Sequence, residues 1–415
     1  MCKIGIGMEH KGKLIVGLDI GTTKVCAVVG ETKEEGNIDI IGIGCHPAYG
    51  LRKGVVINVE NTINSIKGAV EEAEQMAGCE IRSVHTALSG THIQSINTQD
   101  AISVKHREVT KKDVKQVIET AKINSIPPER EIVHVLPQEF IVDGYTGIQD
   151  PVGMVGVRLE VKVHIITASV ESVQTLIRCI QKAGLDVVDV VLQSLAASEA
   201  ILAEEEKELG VGLVDFGGGV TDLAVFTNNS VRHTAILTAG GVNITNDIAF
   251  GLRTPISEAE NIKLQHGIAN IALLEKDEEI KLITIGDRRV RLVPKSELTQ
   301  IIQARVEEIL SLLEQELIKA ELPKEVLAGG MVITGGSSLL PGLVEEAEQI
   351  FDMPTRIGYP QGVGGLVDVI RNPVYATAVG LVKYGFKNKI SPFREKKGWL
   401  PCFISGFKNW LREAF

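Results

Sequence analysis

Two short segments combine the residue types that holding a polyphosphate requires. D-I-G-T-T-K at 19–24 brings a carboxylate, a glycine, two hydroxyls and an ammonium, and D-F-G-G-G-V-T-D at 215–222 brings three glycines, a hydroxyl and two carboxylates. Glycine lets backbone amides approach phosphate oxygens with no Cβ in the way, and successive N–H groups make an anion-binding concavity. Gly21, Thr22, Thr23 and Lys24 are therefore candidates for one phosphate turn, and Gly217, Gly218, Gly219 and Thr221 for a second. Asp19 and Asp215 end the strands beside these turns. A carboxylate there can orient magnesium-bound water, because Mg²⁺ usually keeps several waters. A third glycine turn, T-G-G-S-S-L-L-P-G at 334–342, enters a helix whose N-terminal amides suit ribose and phosphate contacts. In A-E-N-I-K at 259–263, Glu260 and Lys263 lie three apart on one helix face and can reach the same ligand edge, although that spacing also makes an ordinary solvated ion pair.

The elements that must position these residues follow from hydrophobic period. Strands are expected over 13–20, 25–30 and 38–44, a helix over 61–77 closed by Gly78, and a strand over 84–89. From about 91 to 162 the pattern changes to short strands, one polar helix over 110–124 and the Pro127-Pro128 break, which predicts an inserted subdomain. The α/β order resumes with a strand over 163–168, a helix over 170–183, a strand over 187–192 and a connecting helix over 195–208. A second cycle then opens at 211–226, its glycine turn 196 positions after the first, so the chain divides into two related halves. Helices followed by a hairpin around Gly286-Asp287 are expected within 241–293, a long amphipathic helix over 296–322, and strand, turn and helix over 330–343.

Composition narrows the class further. With 415 residues, 44% hydrophobic, and a net charge of −10, the chain has core enough for two domains and lacks the basic excess of a nucleic-acid binder. Its six cysteines are scattered without a C-x-x-C pair, which predicts free thiols. The sequence contains no H-E-x-x-H, G-x-S-x-G, G-x-G-x-x-G or P-loop pattern. No apolar run is long enough to span a bilayer, and residues 1–20 show no small-residue cleavage site, so no signal peptide is expected.

Aromatic residues are few, yet Trp399, Phe403, Phe407, Trp410 and Phe415 fall within the last 18 positions. With Leu411 they occupy one helical face, and Lys408 and Arg412 lie on the other. Between Lys383 and Phe415 there are eight basic and two acidic residues, a local +6 that leaves −16 for the rest. About 15 residues rise roughly 22 Å, too short and too charged to span, so the segment is expected to lie in the interface of an anionic membrane. A docked core helix or a partner-binding helix is the competing reading of the same pattern.

The ordered set of turns resembles the phosphate 1, phosphate 2 and adenosine motifs of the actin, heat-shock chaperone and sugar-kinase group. Within that group the chain resembles the FtsA family of bacterial cell-division proteins, through V-G-L-D-I-G-T-T-K at 16–24, A-L-S-G-T-H-I at 87–93, V-L-P-Q-E-F at 135–140, N-P-V-Y-A-T-A-V-G-L at 372–381 and the C-terminal helix. The resemblance implies an α/β, actin-like (ribonuclease H-like) two-lobe fold. It implies subdomain 1A over 13–90 plus 163–194, an inserted 1C over 91–162, 2A over 195–242 plus 302–386, 2B over 243–301, a linker over 387–398 and a membrane-targeting helix over 399–415. Carried onto this sequence, it places ATP phosphates at Gly21 to Lys24 and Gly217 to Gly219 and magnesium at Asp19 and Asp215. It sets Gly335, Gly336 and Ser337 beside adenosine, Glu260 and Lys263 beside the ribose and base, and Gln193 at the attacking water. It also implies self-assembly into a homopolymer, an FtsZ contact on 243–301, later division proteins as further partners, and the cytoplasmic face of the inner membrane at the septum. A small-molecule kinase of the same superfamily and an actin-like component of pilus machinery remain the alternatives.

Overall fold

The computed structural model describes residues 12–33, 36–123, 127–285 and 290–388. The first lobe opens with β1 (Leu14–Ile20), β2 (Lys24–Thr32) and β3 (Ile38–Pro47), followed by a small ladder of β4 (Leu51–Arg52) and β5 (Val55–Val56), helix α1 (Val59–Ala77) and β6 (Ser83–Leu88). The Asn58 side chain accepts from the Asn61 amide at the start of α1, and Gly78 ends it at φ 68°. That pairing of a side-chain cap with a left-handed glycine fixes both ends of the helix.

The inserted unit consists of β7 (Ile93–Ser103), α2 (Lys111–Ile123), β8 (Arg130–Val142), β9 (Tyr145–Ile148) and β10 (Arg158–Ser169). Its four strands form their own sheet in the order β7-β10-β8-β9, with α2 against it over a core that includes Val114, Val117, Ile118, Phe140 and Leu159. The strand expected over 163–168 is the second half of β10 and belongs to this sheet, not to that of the first lobe. Its apolar alternation identified a strand but carried no information about which neighbours it pairs with. The strands are also long, 11 to 13 residues in β7, β8 and β10, where short ones were expected.

The chain returns through α3 (Val170–Lys182), β11 (Asp186–Leu192) and α4 (Gln193–Ile201) to the second lobe. That lobe contains α5 (Glu204–Leu209), β12 (Val211–Phe216), β13 (Thr221–Thr227), β14 (Ser230–Leu237), α6 (Gly241–Gly251), α7 (Ile256–His266), β15 (Glu279–Ile283), β16 (Val290–Pro294), α8 (Lys295–Lys319), β17 (Met331–Thr334), α9 (Leu343–Phe351) and β18 (Thr355–Ile357). It is followed by β19 (Gly364–Gly365), α10 (Val367–Ile370) and α11 (Ala376–Asn388). The single connecting helix expected over 195–208 is two helices, α4 and α5, because Leu202 turns extended between them. The hairpin strands β15 and β16 form as expected, and their Gly286-Asp287 turn lies outside the described residues.

The duplication is visible in the sheets. The first runs β3-β2-β1-β6-β11, with β19 added beside β3, and the second runs β14-β13-β12-β17-β18. In each, three antiparallel strands meet two parallel ones: β1 pairs β2 antiparallel and β6 parallel, and β12 pairs β13 antiparallel and β17 parallel. β12 is buried along its whole length, as strands covered on both faces are. On α8, Leu298, Ile302, Val306, Ile309, Leu313 and Leu317 recur at helical period and are buried in the second lobe's core.

Two features tie the lobes together. Helices α4 and α11 cross so closely that a Cβ on Gly380 would stand 1.8 Å from the Ala196 carbonyl oxygen, and one on Gly17 of β1 would stand 2.2 Å from that of Ala378. Across the other side, the insert bonds to edge strand β14. Gln138 Nε2 donates to the Val231 and Arg232 carbonyls at 2.9 and 3.2 Å, Ser95 Oγ donates to the Thr234 carbonyl at 2.8 Å, and His164 Nε2 lies 2.9 Å from Thr234 Oγ1.

Candidate functional site: a cleft between two glycine hairpins

Each hairpin closes on a backbone bond: the Gly21 amide donates to the Lys24 carbonyl at 2.9 Å, and the Gly217 amide to that of Val220 at 3.1 Å. The two tips touch. A Cβ on Gly218 would fall 2.5 Å from Thr23 Cγ2, and one on Gly219 would fall 2.4 Å from Thr22 Oγ1, so only glycine allows this approach. The third turn closes one side. Gly335 sits at φ 86°, where an added Cβ would lie 2.4 Å from Asp215 Oδ1, and Ser337 Oγ donates to the Gly217 carbonyl at 3.1 Å. Instead of entering an α-helix directly, this turn makes one 3-10 turn over Gly336–Leu339, and α9 starts only at Leu343.

Between these turns lies a cavity of about 500 Å³, a volume within the range of small-molecule sites. Asp19, Gly21, Thr22, Thr23, Lys24, Gln193, Asp215, Gly217, Gly218, Gly219, Glu260, Lys263, Gly335, Gly336 and Ser337 all line it. Thr221 does not: fully buried, its Oγ1 donates to the Ala239 carbonyl at 2.8 Å and pins the end of β14. Alternation along β13 turns its side chain away from the tip, which a count of hydroxyls in the motif cannot register.

Glu260 and Lys263 form more than a solvated pair. Lys263 Nζ lies 2.8 Å from Glu260 Oε2 and also donates to Thr245 Oγ1 at 2.8 Å and the Gly241 carbonyl at 3.2 Å, and Thr245 Oγ1 donates to the Glu260 carboxylate. The network joins α7 to the first turn of α6.

The electrostatics centre on one ammonium and three aspartates. Lys24 Nζ donates to the Val374 carbonyl, lies 3.6 Å from Asp19 Oδ2 and stands 5.9 Å from the ring centre of Tyr375. Burial alone would lower Lys24, but Cys26, Asp19, Cys45 and Asp215 hold it above its ordinary value, so it stays cationic. Asp19 is raised by burial, with Lys24 opposing. Asp215 is raised by burial too, opposed by Gln193, whose Nε2 donates to Asp215 Oδ2 at 3.0 Å, and by Thr377, whose Oγ1 donates to the same oxygen at 2.9 Å. Asp222, the last residue of the second motif, is raised furthest of the three by burial and by Asp215 beside it. Its Oδ1 accepts from Ser89 Oγ at 2.6 Å and its Oδ2 has no hydrogen-bond partner. Lys24 faces Asp19 and Asp215 at one end of the cavity and Lys263 faces Glu260 at the other, and oxygen donors of this kind suit a hard divalent cation. Among the described residues no three His, Cys, Asp or Glu side chains converge closely enough to hold a metal by themselves.

Sequence reasoning missed Asp222, Ser89, Thr245 and Thr377. Asp222 could have been taken from its place closing the second motif, and Ser89 and Thr377 from the motifs at 87–93 and 372–381; Thr245 reaches the site from a remote element, and no local spacing marks it. The residues expected to meet a membrane, Trp399, Phe403, Phe407, Lys408, Trp410, Leu411, Arg412 and Phe415, lie outside the described residues, and among those described no helix is long and apolar enough to cross a bilayer.

Two duplicated sheets that trap a cleft between glycine hairpins, with a substituted insert on one lobe, define an actin-like ATPase fold. Solved structures share it: the PilM-PilN type IV pilus biogenesis complex is 19% identical with a TM-score of 0.67, covering 90% of this chain and 98% of that one. MreB5 of Spiroplasma citri bound to ADP is 15% identical with a TM-score of 0.53, covering 89% of this chain and 94% of that one. The family profile described as cell division protein FtsA matches residues 212–380, and the profile of the SHS2 domain inserted in FtsA matches 90–167. The FtsA of Pseudomonas aeruginosa is 44% identical over 380 residues, covering 92% of this chain and 91% of its own, and that of Neisseria meningitidis serogroup B is 42% identical over 417 residues, covering 98% and 100%. The chain belongs to the FtsA family of cell-division proteins.

Proposed function

We propose that this protein binds ATP with magnesium in the cleft, assembles with copies of itself, and ties FtsZ polymers to the cytoplasmic face of the inner membrane at the division septum, where it helps bring in later division proteins. The observation that carries the nucleotide part is the contact of the two hairpin tips around a cavity with the half-buried Lys24 ammonium lining it. In this reading the amides and hydroxyls of Gly21 to Thr23 and Gly217 to Gly219 hold the phosphates, and Lys24 neutralises them. Asp19 and Asp215 orient the waters of a magnesium ion, which when bound supplies positive charge beside the phosphates. Gly335, Gly336 and Ser337 border the adenosine, Glu260 and Lys263 the ribose and base, and Gln193, anchored by Asp215, places a water.

The membrane part rests on the tail pattern. Each large apolar side chain of 399–415 contributes roughly 1.5 to 3 kcal/mol on burial in lipid. Each nearby basic residue adds about 1 kcal/mol on an anionic surface, while ordering the segment costs roughly 1 to 2 kcal/mol per residue. One tail is then a weak, reversible anchor, and a polymer holds through many. For FtsZ, Ile283, Val290 and Leu292 on the β15–β16 hairpin are exposed apolar side chains within 243–301. Identity of 38–44% to cell-division relatives favours this reading over a kinase or a pilus component.

The test combines titration with a fluorescent ATP analogue and flotation on anionic liposomes, comparing the full chain with one that ends at Ser391. Saturable, magnesium-dependent binding and loss of flotation on truncation are expected. Equal flotation of the two chains would sink the membrane anchor, and absence of nucleotide binding would sink the cleft assignment. Co-sedimentation with FtsZ filaments separates the division role from a pilus role.

A further inference from the structure

Behind the first phosphate turn, β2 and β3 bring two cysteines face to face. Cys26 and Cys45 are directly opposed partners in the antiparallel register, and their Sγ atoms lie 2.7 Å apart as free thiols. Directly opposed residues of an antiparallel pair have Cα atoms about 4.5 to 5.5 Å apart. Disulfides span Cα separations of about 4.4 to 6.8 Å, so the bond can close without moving the strands. We propose that Cys26 and Cys45 are a redox modification site that hydrogen peroxide converts to an intramolecular disulfide and a dithiol reductant restores.

The two sulfurs divide the work. Cys26 is fully buried and Cys45 half-buried, so oxidant reaches Cys45 first. Contact with Cys26 lowers the Cys45 thiol, with Lys24 adding to the effect against burial, while Cys26 is held well above its ordinary value by Cys45 and by burial. The thiolate is the nucleophile, which makes Cys45 the attacking and Cys26 the resolving residue. Cys45 thiolate attacks one peroxide oxygen, breaks the O–O bond and takes that oxygen as sulfenic acid; the leaving hydroxide is protonated to water. The Cys26 sulfur then attacks the Cys45 sulfur, its proton joins the departing hydroxyl as a second water, and the disulfide forms. Two electrons pass from the thiols to the peroxide. Cys79 and Cys179, the other described cysteines, are both raised by burial and provide internal controls.

The experiment treats the full-length chain with peroxide, blocks remaining thiols with N-ethylmaleimide, and maps the digest by mass spectrometry. A cross-linked peptide joining Cys26 to Cys45 is expected, short of the two thiol hydrogens, reversed by dithiothreitol, and formed on the order of tenfold faster than Cys79 or Cys179 is lost. Recovery of both residues as alkylated thiols, or a cross-link elsewhere, would overturn the proposal. For the order of reaction, Cys26→Ser is expected to leave a Cys45 sulfenic acid that dimedone captures, and Cys45→Ser to leave Cys26 unreacted. Equal dimedone labelling in the two variants would overturn the roles, and the mapping of the unsubstituted chain depends on neither.

Discussion

Lys24 is the residue on which the cleft's charge balance turns. It is the ammonium among Asp19, Asp215 and Asp222, and its own position depends on the Val374 carbonyl and the Tyr375 ring. Lys24→Ala should weaken binding of a fluorescent ATP analogue by about tenfold or more, since hydrogen bonds to charged groups contribute about 1.5 to 3 kcal/mol. Unchanged affinity in a folded variant would remove Lys24 from the site. At this scale the sequence was most informative where residues are adjacent in the chain: the two turns and their aspartates were legible because glycine, hydroxyl and carboxylate follow one another in strand-turn contexts. Thr245 was not legible, and Thr377 only as a member of the motif at 372–381, without a role. Each touches the site from a helix whose approach depends on tertiary packing, and a threonine in a helix has no spacing that distinguishes it from a filler.

Among the elements, the crossing of α4 and α11 and the seam between the insert and β14 hold the lobes at their present angle. Gly380→Ala places a Cβ against the Ala196 backbone, which cannot yield as a side chain can, and is expected to lower stability by about 3 kcal/mol, read from chemical denaturation. A substitution that leaves the midpoint in place would show that the helices can slide apart there. On the seam, Gln138→Ala leaves the Val231 and Arg232 carbonyls without that donor. Hydrogen exchange in β14 should accelerate with a local loss of about 1 to 3 kcal/mol, and unaltered protection would mean that the remaining bonds suffice. The hydrophobic period located β1, β2, β3, α1, β6, α3, β11, β12, β13 and α8, because burial imposes it, but not β14, β18 or α11. It left out partner choice, as β10 demonstrates, and it ran α4 and α5 together because Leu202 and Ala203 continue the apolar pattern while the backbone leaves the helix.

Over the whole molecule, buried imidazoles set the response to acid. Burial lowers His85, His92 and His134 to about 4 and His164 to about 3. Below their ordinary value of 6.5 the unfolded chain takes up protons that the folded chain refuses, so stability that is complete above pH 6.5 is lost as pH falls toward 4. For the nearly fully buried His85 and His164 the loss at pH 5 is about 2 kcal/mol each. Asp189 works in the other direction, as do Asp19, Asp215 and Asp222: raised by burial, Asp189 to about 6 from 3.8, these carboxyls destabilise the fold as pH rises. Asp189→Asn should therefore shift the urea midpoint at pH 7.5 upward relative to that at pH 5. A pH dependence that Asp189→Asn leaves unchanged would contradict the burial of Asp189.

Helix α11 connects these scales. Its first turn holds Thr377 against Asp215, and Asn388 at its other end is the last described residue before the basic, aromatic tail. Thirteen helical residues make a rod of about 20 Å. The Gly380–Ala196 crossing lies one turn from Thr377, so a single rigid element joins the Asp215 carboxylate in the cleft to the residue at which the described chain ends.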